Sequence, residues 1–499
     1  MKTSLLTALG TVAPLIFAAH LATAQTPAAA PRVTQEPMKA LHSLDDSYLV
    51  WPVALAEKAY TSIDGKHLKQ YVEDQSAISR RYRDQGHQFW GRIIGTQADE
   101  DNAQWLLDKF RKAGLTDVRQ QLFDLPPQWM PQSWSVSATS GGTSMKLETA
   151  QPTHRSPGTT AAGLDLEAVD VALAGPGDLA NRDLKGKAVF FYSTDYFSRH
   201  ATISDGAFKR IEDMGAAAIF VTVLIPGNMR TQFYPVGSNV PTFSLSYQEG
   251  LAMREMIGKT RGGMAPHVKV NMDLKMIPNE KTSTVWGTLP GAGYQTPSDE
   301  TVIVTAHRDG WFEGANDNGT GIATMVGLAE YFARVPQAQR RRTIIFLGTS
   351  GHHDGTAESG TWLSQHKEMF AKTALLINCE HTAATEMIIG NQNITKSNWA
   401  STLTWYIGGS RKLEQIVVNA YAAFGVPVGE IPARSPAGEI GRIYQLAPSI
   451  QLIDTGLYWH SDYETGDIIP ATGLANVTRA YAKIITDTGT IDLKDLQRP

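Results

Sequence analysis

Apolar positions along the chain follow two patterns. Short unbroken apolar runs, at Thr301 to Ala306, Thr343 to Leu347, Ala374 to Cys379 and Ser449 to Ile453, read as buried strands. Longer stretches repeat apolar residues every three or four positions and read as helices: Thr320 to Arg334, Ser359 to Phe370, Arg411 to Phe424 and Ala471 to Thr488. In the first of these, Ile322, Met325, Val326, Ala329 and Phe332 share one face, as core packing requires. Strands alternating with helices predict an α/β protein with a mostly parallel mixed sheet flanked by helices.

Upstream, Leu41 to Gly114 is mostly helical and polar-faced. Its clearest helix is Asp99 to Ala113, with an acidic start, Trp105, Leu106 and Phe110 at helical spacing, basic residues near its end and Gly114 as a stop. Asp117 to Phe123 alternates like a strand, and TSGGTS from Thr139 to Ser144 reads as a turn. Between Ser135 and Pro278 the pattern becomes a smaller β-rich α/β unit of its own. Strands at Ala188 to Tyr192, Ala216 to Val221 and Val240 to Leu245 are interleaved with helices at Phe208 to Met214 and from Tyr247. The expected organisation is one main domain in two parts, 41–134 and 279–499, with 135–278 inserted between them.

The 499-residue chain is too long for one ordinary core, and its net charge of -4 removes the electrostatic case for nucleic acid. Lys2, an apolar run from Leu5 to Ala22 and the small residues Ala22-Thr23-Ala24 read as a signal peptide over 1–24, followed by an Ala- and Pro-rich linker over 25–40. No other stretch approaches membrane-spanning length. Export, to a periplasm or the medium, is the expectation. Cys379 is the only cysteine, which excludes an internal disulfide.

Candidate chemistry gathers where the strands end. The first delivers His307, Asp309 and, on a Gly-rich loop, Asp317. The second ends in Gly348-Thr-Ser-Gly followed by His352 and His353, the third in Cys379-Glu380-His381, and the fourth is followed by Tyr458-Trp459-His460. Ligands of open α/β sheets collect outside the carboxyl ends of the strands, and imidazole and carboxylate are zinc-competent donors. A catalytic zinc keeps one position open for water, whose pKa it lowers to roughly 7. Asp309, two residues past His307, is placed to orient that imidazole. No G-x-S-x-G elbow and no H-E-x-x-H helix is present. Cys379 reads as a small buried residue.

The motifs AHRDG, GANDNGTG, INCE and YWHSDYETGDII, in this order and strand context, resemble the co-catalytic zinc exopeptidases, a family that includes bacterial aminopeptidases and glutamate carboxypeptidases. The unit at 135–278, with Gly-Lys before its first strand and GAAAIFV in its second, resembles a protease-associated domain. The family resemblance implies one or two zinc ions, with His307 on one metal, Asp317 bridging, and Glu380, His353 and His460 as further ligands. It also implies a Glu464 that stands where the family has an aspartate. The departure is at His352 and His353, where the family carries two glutamates, the first a general base. His353 remains a competent ligand, and His352 retains the ability to take a proton, since imidazole titrates near pH ~6.5.

The resemblance therefore implies an exported metallohydrolase, exopeptidase-like, that cleaves peptide or small amide substrates. Catalytic roles fall to His352 and Asp309, and substrate contacts to Trp311, Phe312, Arg434, Tyr444, Tyr458 and Trp459. Two alternatives remain open from the residues: a site re-tooled by His352 and His353 for non-peptide amide hydrolysis or cyclisation, and a non-catalytic binding protein on the same scaffold.

Overall fold

The structure is a computed structural model that describes residues 51–193, 206–259, 263–353, 365–390, 393–454 and 456–498. The expected signal peptide and linker, and the start of the helix expected from Ser359, lie outside them.

The main sheet has seven strands: β1 (Thr116–Asp124), β2 (Lys281–Leu289), β3 (Thr301–His307), β4 (Thr343–Thr349), β5 (Thr373–Cys379), β6 (Thr404–Gly408) and β7 (Ser449–Ile453). Their order is β6-β7-β5-β3-β4-β2-β1. The four neighbours β7, β5, β3 and β4 run parallel, so all four carboxyl ends reach the same edge of the sheet. These are the four strands that the apolar runs predict. Their unbroken apolar character follows from burial on both faces. Val302, Val304 and Ala306 enter one core layer, and Ile303 between them enters another with Phe370, Ile440 and Ile443.

Five principal helices accompany the sheet: α1 (Gly65–Asp84), α2 (Gln97–Lys112), α3 (Gly321–Ala333), α4 (Arg411–Phe424) and α5 (Ala471–Thr488). Strands β2 and β6 were not anticipated, because KTSTVWGTL and TWYIG carry polar residues and flank the sheet antiparallel rather than filling its centre. Within the segment Ser359 to Phe370, the described residues begin with Gln365 in α-helix and continue into a 3-10 helix, Lys367–Lys372.

A second, eight-stranded sheet is inserted between β1 and β2. It begins at Gln128 rather than Ser135, because Gln128–Ser140 pairs antiparallel with His267–Ile277 over its full length. Pro131 punctuates this strand without ending it: it lies at the register shift after Asp273, where the ladder is already interrupted. The TSGGTS stretch forms the expected tight turn, with Gly141 and Gly142 both at positive φ.

Two buried arginines shape the segment that leaves β3. Arg308 turns away from the strand edge to pair with Asp99 of α2 and donates to the Ser283 carbonyl at 2.7 Å. Arg92, itself fully buried, donates to the carbonyls of Arg308, Glu313 and Gly314 at 2.9, 2.6 and 3.0 Å. Three carbonyls of the segment carrying Asp309 and Asp317 thus share a single guanidinium, which ties that segment to Arg92. Arg92→Met leaves those acceptors buried and unpaired, and is expected to cost about 3 kcal/mol or more by denaturant unfolding. An unchanged midpoint would show the clamp to be dispensable.

Candidate metal centre

The parallel strand ends deliver their side chains to one carboxylate. Asp317 Oδ1 lies 3.2 Å from His307 Nε2 and 3.1 Å from His381 Nε2. Its Oδ2 lies 3.1 Å from His353 Nε2 and 3.0 Å from His460 Nε2, and accepts from Trp459 Nε1 at 2.6 Å. All of these groups are buried. His307 Nε2, His381 Nε2 and Asp317 Oδ1 have no hydrogen-bond partner among the described residues, despite their proximity. Donors that approach this closely without pointing at one another converge on a common point, which is how ligands of one ion are arranged. Donor sets His307/Asp317/His381 and Asp317/His353/His460 each lie within 4.8 Å, with Asp317 common to both. The residues present therefore fit a metal ion, with Asp317 able to bridge two.

Local backbone explains how the side chains get there. His381 (φ 45°) and His460 (φ 60°) occupy the left-handed region, a conformation that costs L-residues on the order of 1 kcal/mol and concentrates at functional sites. At the end of β5 this turn directs His381, rather than Glu380, toward Asp317. Glu380 Oε2 instead accepts from Asn378 and Gln451 at 2.6 and 2.9 Å, and its Oε1 lies 3.8 Å from His352 Nε2. His381 is the residue that motif reading passed over, and its signal was only its adjacency to the expected ligand. Glu439, also unanticipated, joins His307, His352 and Glu380 in a further donor group.

Asp309 acts mainly on the second strand end. Its carboxylate accepts from the backbone N–H groups of Gly351, His352 and His353 at 3.1, 3.3 and 3.0 Å, and from His353 Nδ1 at 3.0 Å. Toward His307 it offers its backbone carbonyl, 3.1 Å from Nδ1. Both imidazoles are thereby held with Nε2 facing inward. Glu464 performs the equivalent task for the Asp317 loop, accepting from the N–H groups of Asn316, Asp317 and His460 at 3.0, 2.6 and 3.1 Å.

Burial and mutual charge polarise the cluster. Burial works against a charged imidazole, yet Asp317 and its neighbours overcome it, carrying His353 and His381 each up to about 9. Burial likewise opposes an ionised Asp317, but the surrounding imidazoles hold its carboxyl well below the usual range. His352 goes the other way: burial and the neighbouring His307 push it well below an ordinary imidazole, so it stays neutral. Its ring stacks on His307 at 4.3 Å and its side chain is 16% exposed, at the open side of the cluster. Burial and the charge of Glu439 raise Glu380 to about 8.

Of the expected substrate contacts, Trp311 packs on His353 and His460 with ring centroids at 4.6 and 4.7 Å, and Trp459 lies against His460 at 4.0 Å. Tyr458 is half-buried beside Tyr463. Phe312 is core, Tyr444 packs on Tyr406, and Arg434 is exposed; no contact brings these three to Asp317. The inserted unit reaches the site. Thr231 pairs with Ser461, the Gln232 N–H donates to the His460 carbonyl at 2.8 Å, and the Tyr234 ring meets His460 at 5.1 Å.

Fold and site together define an α/β protein whose parallel strand ends build a histidine-rich, carboxylate-centred candidate metal site. Residues 284–485 match the family model of peptidase family M28, so the resemblance to co-catalytic zinc exopeptidases holds for this stretch of the chain. The aminopeptidase YwaD of Bacillus subtilis (strain 168) is 26% identical over 282 residues, covering 54% of this chain and 55% of its own. The chain thus spans about half the length of that relative. Two solved structures share the fold: the peptidase M28 precursor from Shewanella amazonensis SB2B (TM-score 0.69, 18% identity, 89% of this chain and 98% of that one) and BSAP, a zinc aminopeptidase from Bacillus subtilis (TM-score 0.61, 17% identity, 88% and 98%).

Because metal must displace protons from imidazoles raised to about 9, zinc binding at pH 7 is expected to release protons, and affinity to rise with pH before levelling off above about 9. Calorimetry in buffers of different ionisation heat measures this; proton-neutral, pH-independent binding from pH 6 to 9 would contradict it.

Proposed function

We propose that this chain is an exported, metal-dependent hydrolase that cleaves an amide bond in a peptide or small amide, as an exopeptidase. The observation that carries the reading is the convergence of four buried imidazoles on Asp317. The M28 match over residues 284–485 supports it. So does BSAP, whose own description is a zinc aminopeptidase. Export is supported by the apolar leader ending in Ala22-Thr23-Ala24. Among the described residues no helix is long and apolar enough to cross a membrane.

In this reading Asp317 would hold metal together with His307 and His381 on one side and with His353 and His460 on the other. Zinc bound there supplies Lewis-acid polarisation of a carbonyl and a water nucleophile near neutral pH. The chain's own residues supply the rest. His352, neutral and at the open side, accepts the proton of the attacking water and returns it to the leaving amine. Asp309 is a positioning residue, fixing the turn that carries His352 and the tautomer of His353. A narrow cleft beside His353 and Asp309 is walled by Phe89, Trp129, Met130 and Trp311, all buried. Trp129 and Met130 come from the inserted unit, which we read as a protease-associated domain that completes the cleft.

Aminoacyl-amides and dipeptides are expected to be hydrolysed, with activity abolished by chelation and restored by zinc. His352→Ala is expected to lower kcat by roughly 10²–10⁴ with little change in KM, as loss of a general base does. The replacement of two glutamates by His352 and His353 favours one competing reading, a site re-tooled for other amide chemistry. That reading wins if zinc binds, all such substrates are inert, and His352→Glu gains activity.

A further inference from the structure

Beside the Asp317 cluster, and sharing His307 with it, a second group of donors is assembled. Ligand-capable atoms of His307, His352, Glu380 and Glu439 all lie within 4.8 Å of one another. Glu439 arrives on a single 3-10 turn, Gly438–Arg442, from a loop far from the other three in sequence. The close approach depends on Gly438, which has φ +70° and whose missing Cβ would sit 2.2 Å from Glu380 Oε2. Gln451 in β7 then fastens the two carriers together. Its Nε2 donates to Glu380 Oε2 at 2.9 Å and to the Ala437 carbonyl at 2.8 Å, while its Oε1 accepts from the Ala437 N–H at 2.9 Å.

The result is a buried carboxylate with nothing to satisfy it. Glu439 is 5% exposed, and neither of its carboxylate oxygens has a hydrogen-bond partner among the described residues. Glu380 uses Oε2 for Asn378 and Gln451, and its Oε1 faces His352. Two carboxylates held together out of water repel one another, and a cation between them relieves that repulsion.

We propose that His307, His352, Glu380 and Glu439 form a divalent-cation site distinct from the Asp317 positions. Two imidazole nitrogens with two carboxylates make a donor set suited to zinc, and the two carboxylates neutralise one dication. At the Asp317 positions, by contrast, a single carboxylate serves both donor groups. His307 Nδ1 faces the Asp309 carbonyl, so Nε2 is the nitrogen available to either site. An ion among the four residues therefore takes His307 away from an ion held with Asp317 and His381, which keeps those two ligands. It also occupies the His352 lone pair, so excess zinc blocks proton acceptance. The site rests on its donor atoms alone, whereas this inhibitory consequence rests on the role proposed above for His352.

Zinc titration of the full chain tests the proposal, with stoichiometry by calorimetry and the zinc-dependent rise in Tm as readouts. Wild-type protein should show a class of zinc sites that is missing in Glu439→Gln and in Glu380→Gln. Both variants should keep the sites centred on Asp317 and His353. Glu439→Gln removes an unpaired buried charge, so its metal-free Tm should equal or exceed that of wild type. Hydrolysis should fall at excess zinc in wild type and resist it in Glu439→Gln. Identical zinc isotherms for wild type and both variants would overturn the site. If the isotherms differ as expected and neither protein hydrolyses any amide, the site stands and the hydrolase reading falls.

Discussion

A single carboxylate, Asp317, holds four imidazoles from four separate chain segments within 3.2 Å of its oxygens. Much of the main domain is arranged to make that possible. Four parallel strands bring their carboxyl ends to one edge, and the loop after β3 carries the carboxylate back across them. Concentrating like-charged or charge-prone groups in a dry site is unfavourable unless each is paired, and the protein pairs them in layers. Asp309 and Glu464 take the backbone N–H groups of the two loops, and Arg92 takes the carbonyls. What these leave unsatisfied among the described residues is His307 Nε2, His381 Nε2 and Asp317 Oδ1, atoms that a metal ion would bond.

The architecture was readable because it rests on repeated, local signals. β3, β4, β5 and β7 are apolar along their whole length since both faces are covered, and each ends at or within two residues of the expected boundary. Helices α4 and α5 coincide with the expected spans, Arg411–Phe424 and Ala471–Thr488, each burying apolar residues at helical spacing. The flanking strands β2 and β6 escaped because an antiparallel flank tolerates threonine, serine and tyrosine that a central strand excludes.

The site was legible only as far as strand ends could be located. Which of two adjacent side chains turns inward at such an end depends on one backbone torsion, and at His381 that torsion lies in the left-handed region. Nothing in the residues Glu380-His381 announces it, since glycine and asparagine are the usual occupants. Glu439 was invisible for a different reason. It sits on an irregular loop with no periodicity, and its relation to Glu380 exists only through Gln451 and the absent side chain of Gly438. The insertion's contribution was likewise out of reach. The pairing of Thr231 with Ser461, which lays Tyr234 over His460, joins segments far apart in the chain, which sequence spacing cannot encode.

His352 and His353 are adjacent in sequence and unlike in place. The structure assigns the two rings unlike surroundings: His353 lies between Asp309 and Asp317, and His352 lies stacked on His307 near two glutamates. The account depends on metal being held at Asp317, and anomalous diffraction at the zinc absorption edge from wild-type crystals grown with zinc locates it directly. A peak is predicted about 2.0–2.2 Å from an Asp317 oxygen and from the Nε2 atoms of His353 and His460. No peak within bonding distance of Asp317 would contradict the account.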